Sequence, residues 1–385
     1  MTTVERYDVI VAGVGGMGSA AVMELAARGA KVLGLERAGI PNSTGSSHGV
    51  NRIIRLAYAE DPRYVPLLRR AYERWRELER TAGEQLLYIT GGVDAGAPDS
   101  ETVRGSLESI RQHDLPHELL SAAELHRRFP GYRLPEEMQA VYQPDAGFVA
   151  SERAIVAHVK EALQFGAEIH GNEPIVKWSA DGSGVNVRTP KATYHAKQLV
   201  ISAGAWVGKF VPQYAPHFVP ERQVLMWSQP KVRDLFSLGN FPIFVLEDPE
   251  ARFYGFPEFG IPGFKIGRYH HLHESVDPDN FDREGFAPRD EAALRVGIRR
   301  YFPDADGPTL SLATCMFTNT RDEHFVIDRL PGVQQVLLAS PCSGHGYKFA
   351  SVIGEIVADL VLDGGTRFDL SMFSLARLTG VPATA

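Results

Sequence analysis

The stretch Tyr7 to Glu36, YDVIVAGVGGMGSAAVMELAARGAKVLGLE, constrains the fold more than any other part of the chain. Its opening run DVIVA, ending at Ala12, is short, apolar and rich in β-branched residues, as expected of a buried parallel strand. It leads directly into Gly13-Val14-Gly15-Gly16-Met17-Gly18, a G-x-G-x-x-G turn. A helical pattern follows through Ala20, Ala21, Met23, Leu25 and Ala27 and stops at Gly29. A second strand, Lys31 to Leu35, ends in Glu36. Gly13 permits the tight turn, and Gly15, beside Gly16, lets backbone N–H groups approach a pyrophosphate. Gly18 allows the helix to pack against the strand, with its positive N-terminus facing the phosphates. Glu36 stands where an adenosine ribose would donate hydrogen bonds. The combination predicts a βαβ dinucleotide-binding unit and leaves NAD and FAD both open.

The totals narrow the setting. A chain of 385 residues predicts two domains or one elaborated domain. A net charge of -7 offers no electrostatic footprint for nucleic acid or an anionic membrane. Two cysteines make no disulfide framework, which favours a reducing compartment. No apolar run approaches the roughly 20 residues that span a bilayer. The first residues lack the basic start of a signal peptide, and the final Ala383-Thr384-Ala385 is no peroxisomal address. The expectation is a cytoplasmic protein.

Farther along, Pro41 to Gly49 is a polar loop whose Ser43, Ser46, Ser47 and His48 suit contact with phosphate and ribityl oxygens. In Asn51-Arg52-Ile53-Ile54-Arg55, strand alternation separates the two arginines, and only a bend or bulge would bring both guanidinium groups to one site. Tyr64 to Glu79 and Ser151 to Phe165 read as helices, and Asp181-Gly-Ser-Gly184 as a hairpin turn. Gln198 to Trp206, LVISAGAW after its first residue, is a buried strand ending in small residues. Val336 to Ser340 is another, leading into Ser343-Gly344-His345-Gly346-Tyr347-Lys348-Phe349 and a helix from Ser351 to Leu362. This second glycine-rich turn presents backbone amides to another polar part of a cofactor. From Gln223 the chain turns to extended runs, VLMWSQP, FPIFVLED, ARFYGFPEF and GFKIGRYH, interrupted by one helix, Asp290 to Tyr301. Cys315 lies on a strand, with a second strand-like run from His324 to Asp328.

In order along nearly the whole chain, G-x-G-x-x-G with Glu36, SSHG…RIIR, ISAGAW, CMFTNT-x-DEHFVID and SGHGYKF resemble the monomeric sarcosine oxidases and their relatives, including N-methyltryptophan oxidase. The resemblance implies an α/β fold: a discontinuous FAD-binding Rossmann-like domain (1–85, 146–220 and 321–385) and an inserted mixed-sheet α+β substrate domain (86–145 and 221–320). It implies FAD attached through the Cys315 sulfur, with Arg37, Ala203, Gly204, Trp206, Gly344 and Gly346 among the cofactor contacts. Arg55 and Lys348 match the pair that binds the substrate carboxylate. Arg52 matches a residue against the flavin ring, Lys265 the lysine of oxygen activation, and Tyr254 an active-site tyrosine. The implied reaction oxidises an N-methyl amino acid such as sarcosine, with formaldehyde and glycine released and oxygen reduced to hydrogen peroxide. The implied protein is a monomer.

Two departures bear on the substrate. The family's sarcosine oxidases carry tyrosine two positions after the cysteine, and here that residue is Phe317. The family's G-Y-H is replaced by Gly267-Arg268-Tyr269-His270-His271, so either His270 or Tyr269 takes the active-site histidine's place. A bulkier secondary amino acid, such as N-methyltryptophan, pipecolate or proline, is the rival substrate. An NAD-dependent dehydrogenase shares the first motif but leaves Cys315 and DEHFVID without a role. A role in RNA modification runs against the acidic charge.

Overall fold

The computed structural model describes residues 5–380; Ala383-Thr384-Ala385 and the first four residues lie outside them. The strand Glu5–Ala12 runs between two parallel neighbours, Val32–Leu35 and Thr193–Ile201, with Val9 opposite both Val32 and Gln198. Glu168–His170 extends the sheet in parallel beyond Val32–Leu35. The other edge of Thr193–Ile201 is shared. Its first half pairs antiparallel with Gly184–Arg188, and its second half pairs parallel with Val333–Ser340. The hairpin read from the sequence is present, with Asp181 opposite Gly184.

Period-two alternation gives this sheet two buried faces. Val9, Val11, Val200 and Leu337 enter one core with residues of the helices Gly16–Ala27, Ser151–Gln164 and Ala350–Ala358. Ile10, Ala12, Leu199 and Leu338 face a second core closed by Val185, Val187 and Leu375. Helix approach is close: a Cβ on Gly354 would lie 2.8 Å from the Ala20 backbone. The C-terminal helix keeps α geometry only to Ala358, then widens into a π turn, Asp359–Asp363, before Gly364 at φ 77°.

A second sheet of eight strands collects Thr309–Asn319, Val219–Ser228, Phe264–Arg268, Arg252–Phe256, Ile243–Glu247, Gly92–Gly96, Gln139–Gln143 and Glu118–Ser121, in that spatial order. One pairing, Ile243–Glu247 with Gly92–Gly96, is parallel and the rest are antiparallel, so the sheet is mixed. Its core is aromatic, with Tyr132, Phe241, Phe244, Phe253, Phe264 and Phe302 packed beside the helix Pro288–Tyr301. A small sheet of Asn51–Ile54, Gly147–Ala150 and Leu87–Ile89 carries Arg52 between the two large ones.

The helix Glu101–His113, capped where Ser100 Oγ accepts from the Val103 N–H, is not evident in the sequence reading. The strand expected at His324 to Asp328 begins instead at Val326. Asp322 accepts from the His324 N–H at 3.2 Å, and Glu323 adopts φ 58°, so residues 320–324 wind into a turn first. Among the described residues no helix is long and apolar enough to cross a membrane.

Candidate active site

One cavity of about 850 Å³ runs between the sheets, with walls that reach from Gly13 to Lys348. At one end lies the glycine turn. A Cβ on Gly18 would fall 1.8 Å from the Gly13 carbonyl oxygen, and one on Gly16 would fall 2.6 Å from the Tyr347 ring. Packing alone therefore demands glycine at both. Gly13 adopts φ +94°, and a Cβ there would meet the Ser202 carbonyl oxygen at 2.7 Å. Gly15 differs: its nearest neighbour would be Ser47 Oγ at 3.8 Å, so a side chain would project into the cavity that the turn lines.

Glu36 accepts from the Val14 N–H at 2.9 Å and the Ala38 N–H at 3.1 Å. Burial raises the pKa of its carboxyl, opposed by those N–H bonds. Each oxygen keeps a lone pair for a ribose hydroxyl. Arg37 lies over the Trp206 ring at 4.4 Å, and both bond to Asp279, at 2.8 and 2.7 Å. Asp279 borders this end of the cavity, as do Ala203 and Gly204. In the polar loop, Asn42 Oδ1 accepts from the Thr44 and Gly45 N–H groups and shapes the turn, while Ser47 Oγ accepts from the Gly16 N–H at 3.3 Å. Ser46 and Ser47 line the cavity and Ser43 does not.

Midway, Cys315 is 6% exposed, with Sγ 3.7 Å from Arg52 Nη2. Arg52 also donates to the Asn51 carbonyl at 2.8 Å and the Ser46 carbonyl at 2.7 Å, which fixes its guanidinium beside the thiol. Lys265 sits behind the wall, not on it. Its Nζ donates to Gly49 O, Asn51 O and Asn51 Oδ1 and lies 4.3 Å over the Phe256 ring. Burial, reinforced by Arg52, holds its pKa well below the usual lysine range. His48 is also behind the wall, and burial and Arg52 pull its pKa down to about 4, which keeps it neutral.

At the far end Arg55 and Lys348 both line the cavity. The strand ends at Ile54, and the bend there lets Arg55 and Arg52 share the cavity despite the spacing. Arg55 donates to Glu60 at 3.1 Å and lies 3.4 Å from Asp94, which is fully buried. Lys348 donates to the His345 carbonyl at 2.7 Å and to Tyr58 Oη at 3.3 Å. Burial lowers the Lys348 pKa to about 7, partly opposed by Glu60. Burial acts to raise the Glu60 pKa, yet Arg55, His345 and Lys348 together outweigh it and the value is about 2. Arg55 and Lys348, set among Glu60 and Asp94, bring two basic side chains to one end of the cavity, where they can bind a carboxylate. Glu60, Asp94 and His345 are not singled out by sequence reasoning: Asp94 reaches Arg55 only through the fold, while Glu60 and His345 stand five and three residues from Arg55 and Lys348 without a pattern that marks the contact.

Arg252, Tyr254 and Phe256 point to the cavity, as their alternation requires, with Phe317 across from them. Gly267 leaves room for Tyr254: a Cβ there would lie 2.4 Å from the ring. Gly344, at φ +78°, does the same for Phe317 at 2.6 Å, and a Cβ on Gly346 would collide with the Pro341 carbonyl at 1.6 Å. Tyr269 lines the cavity, its hydroxyl donating to the Ser343 carbonyl at 2.6 Å and its ring 5.0 Å from Phe317. His270 does not line it. Of the two candidates for the active-site histidine's place, Tyr269 lines the cavity and His270 lies outside its wall. His270 and His271 take positive φ, 58° and 35°, and the turn sends the His270 ring to Glu221 and Glu323 instead. Those two carboxylates, working against burial, raise its pKa to about 9.

Residues 8–360 match the family model described as FAD dependent oxidoreductase. The chain is 45% identical to the monomeric sarcosine oxidase of Streptomyces avermitilis over 386 residues, covering 98% of this chain and 99% of that one. It is 35% identical to the N-methyl-L-tryptophan oxidase of Yersinia pestis, covering 96% and 99%. In fold it matches the open form of NikD, an unusual amino acid oxidase essential for nikkomycin biosynthesis, with TM-score 0.83 and 24% identity over 96% of this chain and 97% of that one. This chain therefore belongs to the FAD dependent oxidoreductases and, among them, to the family of the monomeric sarcosine and N-methyl-L-tryptophan oxidases.

Proposed function

We propose that this enzyme oxidises sarcosine or a related N-methyl amino acid, with FAD linked through Cys315 and molecular oxygen as the final acceptor. One observation carries the reading: a single cavity joins the glycine cradle and Glu36, through Cys315 and Arg52, to the pocket of Arg55 and Lys348. The two large sheets support a division into an FAD-binding domain (1–85, 146–220, 321–385) and a substrate domain (86–145, 221–320). The donor set fits FAD. Gly15 leaves open space at the phosphate end, Glu36 has free lone pairs for ribose, and Cys315 offers a thiol at the wall. When bound, FAD supplies the two-electron oxidation of the carbon–nitrogen bond.

The chain's own residues bind and orient. Lys348 and Arg55 take the substrate carboxylate, which enters as an anion where Glu60 already balances Arg55. Arg52, immobilised by two carbonyls, holds positive charge where negative charge develops during the reaction. Lys265, held behind the cavity wall by its bonds to Gly49 and Asn51, serves oxygen activation by placing positive charge near the reduced oxygen. Tyr254, Tyr269 and Phe317 give the substrate an aromatic enclosure that excludes water. A substrate amine bound in its neutral form needs no strong base. Phe317, lacking a hydroxyl, also suits a bulkier secondary amino acid, and that reading stands second. We place the protein in the cytoplasm as a monomer, on its cysteine content and its relatives.

The test is to precipitate the purified protein with acid. Yellow colour that stays with the polypeptide, and leaves it in a Cys315→Ala variant, supports the covalent link; colour in the supernatant overturns it. Peroxide formation is then followed across sarcosine, N-methyltryptophan, pipecolate and proline. Absence of peroxide from all of them would sink the assigned reaction.

A further inference from the structure

The turn that carries His270 away from the cavity also builds something. Glu221, His270 and His273 place one ligand atom each within 4.8 Å of one another. His270 Nδ1 lies 3.0 Å from Glu221 Oε1, and the His270 and His273 rings stack in parallel, 13° apart in plane with centroids 5.4 Å apart. The stacking follows from the backbone: the His273 N–H donates to the His270 carbonyl at 2.7 Å, and His270, His271 and His273 all take positive φ. Such conformations are costly for residues with a Cβ, and they concentrate where a site is being shaped.

The outer contacts have the form that metal ligands need. A ligating histidine ordinarily gives its second ring N–H to a carboxylate, which fixes its tautomer and raises its basicity. His270 Nε2 lies 2.9 Å from Glu323 Oε1, leaving Nδ1 to face Glu221. Glu221 is itself held in place, Oε1 by the Gln223 amide at 2.6 Å and Oε2 by the Asn319 amide at 3.1 Å. Both amides thus turn their nitrogen toward Glu221 and fix the carboxylate on the side facing His270.

We propose that Glu221, His270 and His273 bind a divalent transition-metal ion of the Zn²⁺ class, with Glu323, Gln223 and Asn319 as the groups that orient the ligands. Two imidazoles and one carboxylate suit zinc and disfavour calcium or magnesium, which prefer all-oxygen sites. The metal replaces the proton that His270 otherwise shares with Glu221. Bonds of about 2.0–2.2 Å to each ligand ask that the exposed His273 ring move inward toward Glu221 and His270. The site backs onto the substrate end of the cavity: the His270 ring is 4.6 Å from the Tyr269 ring, and Glu221 pairs with Phe317 across neighbouring strands. Occupancy therefore stiffens the turn that positions Tyr269.

The test uses untagged holoenzyme, stripped with a chelator, dialysed, and equilibrated with Zn²⁺ for metal analysis. Co²⁺ absorption serves as a separate report of coordination. One bound Zn²⁺ per chain is expected, with affinity at least roughly tenfold weaker in His273→Ala and in Glu323→Gln. A tetrahedral Co²⁺ spectrum is expected in the wild type and its loss in His273→Ala. Because His273 is exposed, its removal leaves the fold intact. Absence of stoichiometric metal in the wild type, or equal binding by His273→Ala, overturns the proposal.

Discussion

Replacing Lys348 with Met should make the protein more stable and less able to hold a carboxylate. Lys348 is 4% exposed. Burial lowers its pKa to about 7 in the folded chain, whereas the unfolded chain titrates at the ordinary 10.5. Between those values the unfolded state binds more protons, so the Lys348 contribution to stability rises with pH across that window. At pH 7 the depression costs about 4 kcal/mol, at roughly 1.4 kcal/mol per pKa unit. Met removes that cost but leaves the His345 carbonyl without the Lys348 donor, which brings the net gain to about 1–3 kcal/mol. With an unfolding entropy of about 0.8 kcal/mol/K for a chain of this length, the expected rise in Tm is roughly 1–4 °C.

Calorimetry of both proteins at pH 7 and pH 9.5 is the assay. The stability gap should shrink by about 3 kcal/mol at the higher pH, where the wild type no longer bears the full cost. His270 titrates with the opposite sign in an overlapping window, so the comparison must be made between variant and wild type at each pH. KM for the substrate should rise at least roughly tenfold, as expected on losing a charge-assisted bond. A gap that does not change with pH, or a variant less stable at pH 7, would refute the reasoning.

Arg55→Met leaves the fully buried Asp94 without its cation, and chemical denaturation should show a loss of about 3 kcal/mol along with lost substrate binding. His270→Ala, measured in the presence of chelator, should destabilise the protein by about 1–3 kcal/mol near pH 6. That stabilisation is fully present below the ordinary 6.5 and is lost as pH rises through about 9, so the variant and wild type should converge in alkali.

Local chemistry made the first unit legible. The turn from Gly13 to Gly18 is bounded by a strand and a helix whose patterns lie next to it in sequence, and the Asp181–Gly184 hairpin is equally local. Tyr269 was within reach of the same reasoning. Lys265, Gly267 and Tyr269 share strand parity, and Gly267 pairs with Tyr254 on the cavity side. The direction of His270 was not, because three left-handed residues turn the chain at the point where strand alternation stops. Glu60, Asp94 and His345 were hidden for another reason. Asp94 reaches Arg55 only through tertiary structure, whereas Glu60 and His345 are close in sequence to Arg55 and Lys348 but lie in turns, where no strand or helix period shows which way a side chain or carbonyl faces. The helix Glu101–His113 was missed although Ser100 caps it, its pattern being diluted by buried Thr102, Ser106 and Ser109.

The shared edge of Thr193–Ile201 also fixes when the molecule can become functional. Its second half stays unpaired until Val333–Ser340 has been synthesised, more than 130 residues later. The glycine cradle is made early by the ribosome, but Gly344 to Lys348, which close the cavity, come last. A nascent chain therefore carries an open strand edge and an unfinished cleft through most of its synthesis, the situation in which chains stick to one another. On that order of synthesis, supplying the cofactor during refolding should matter more than supplying it during translation.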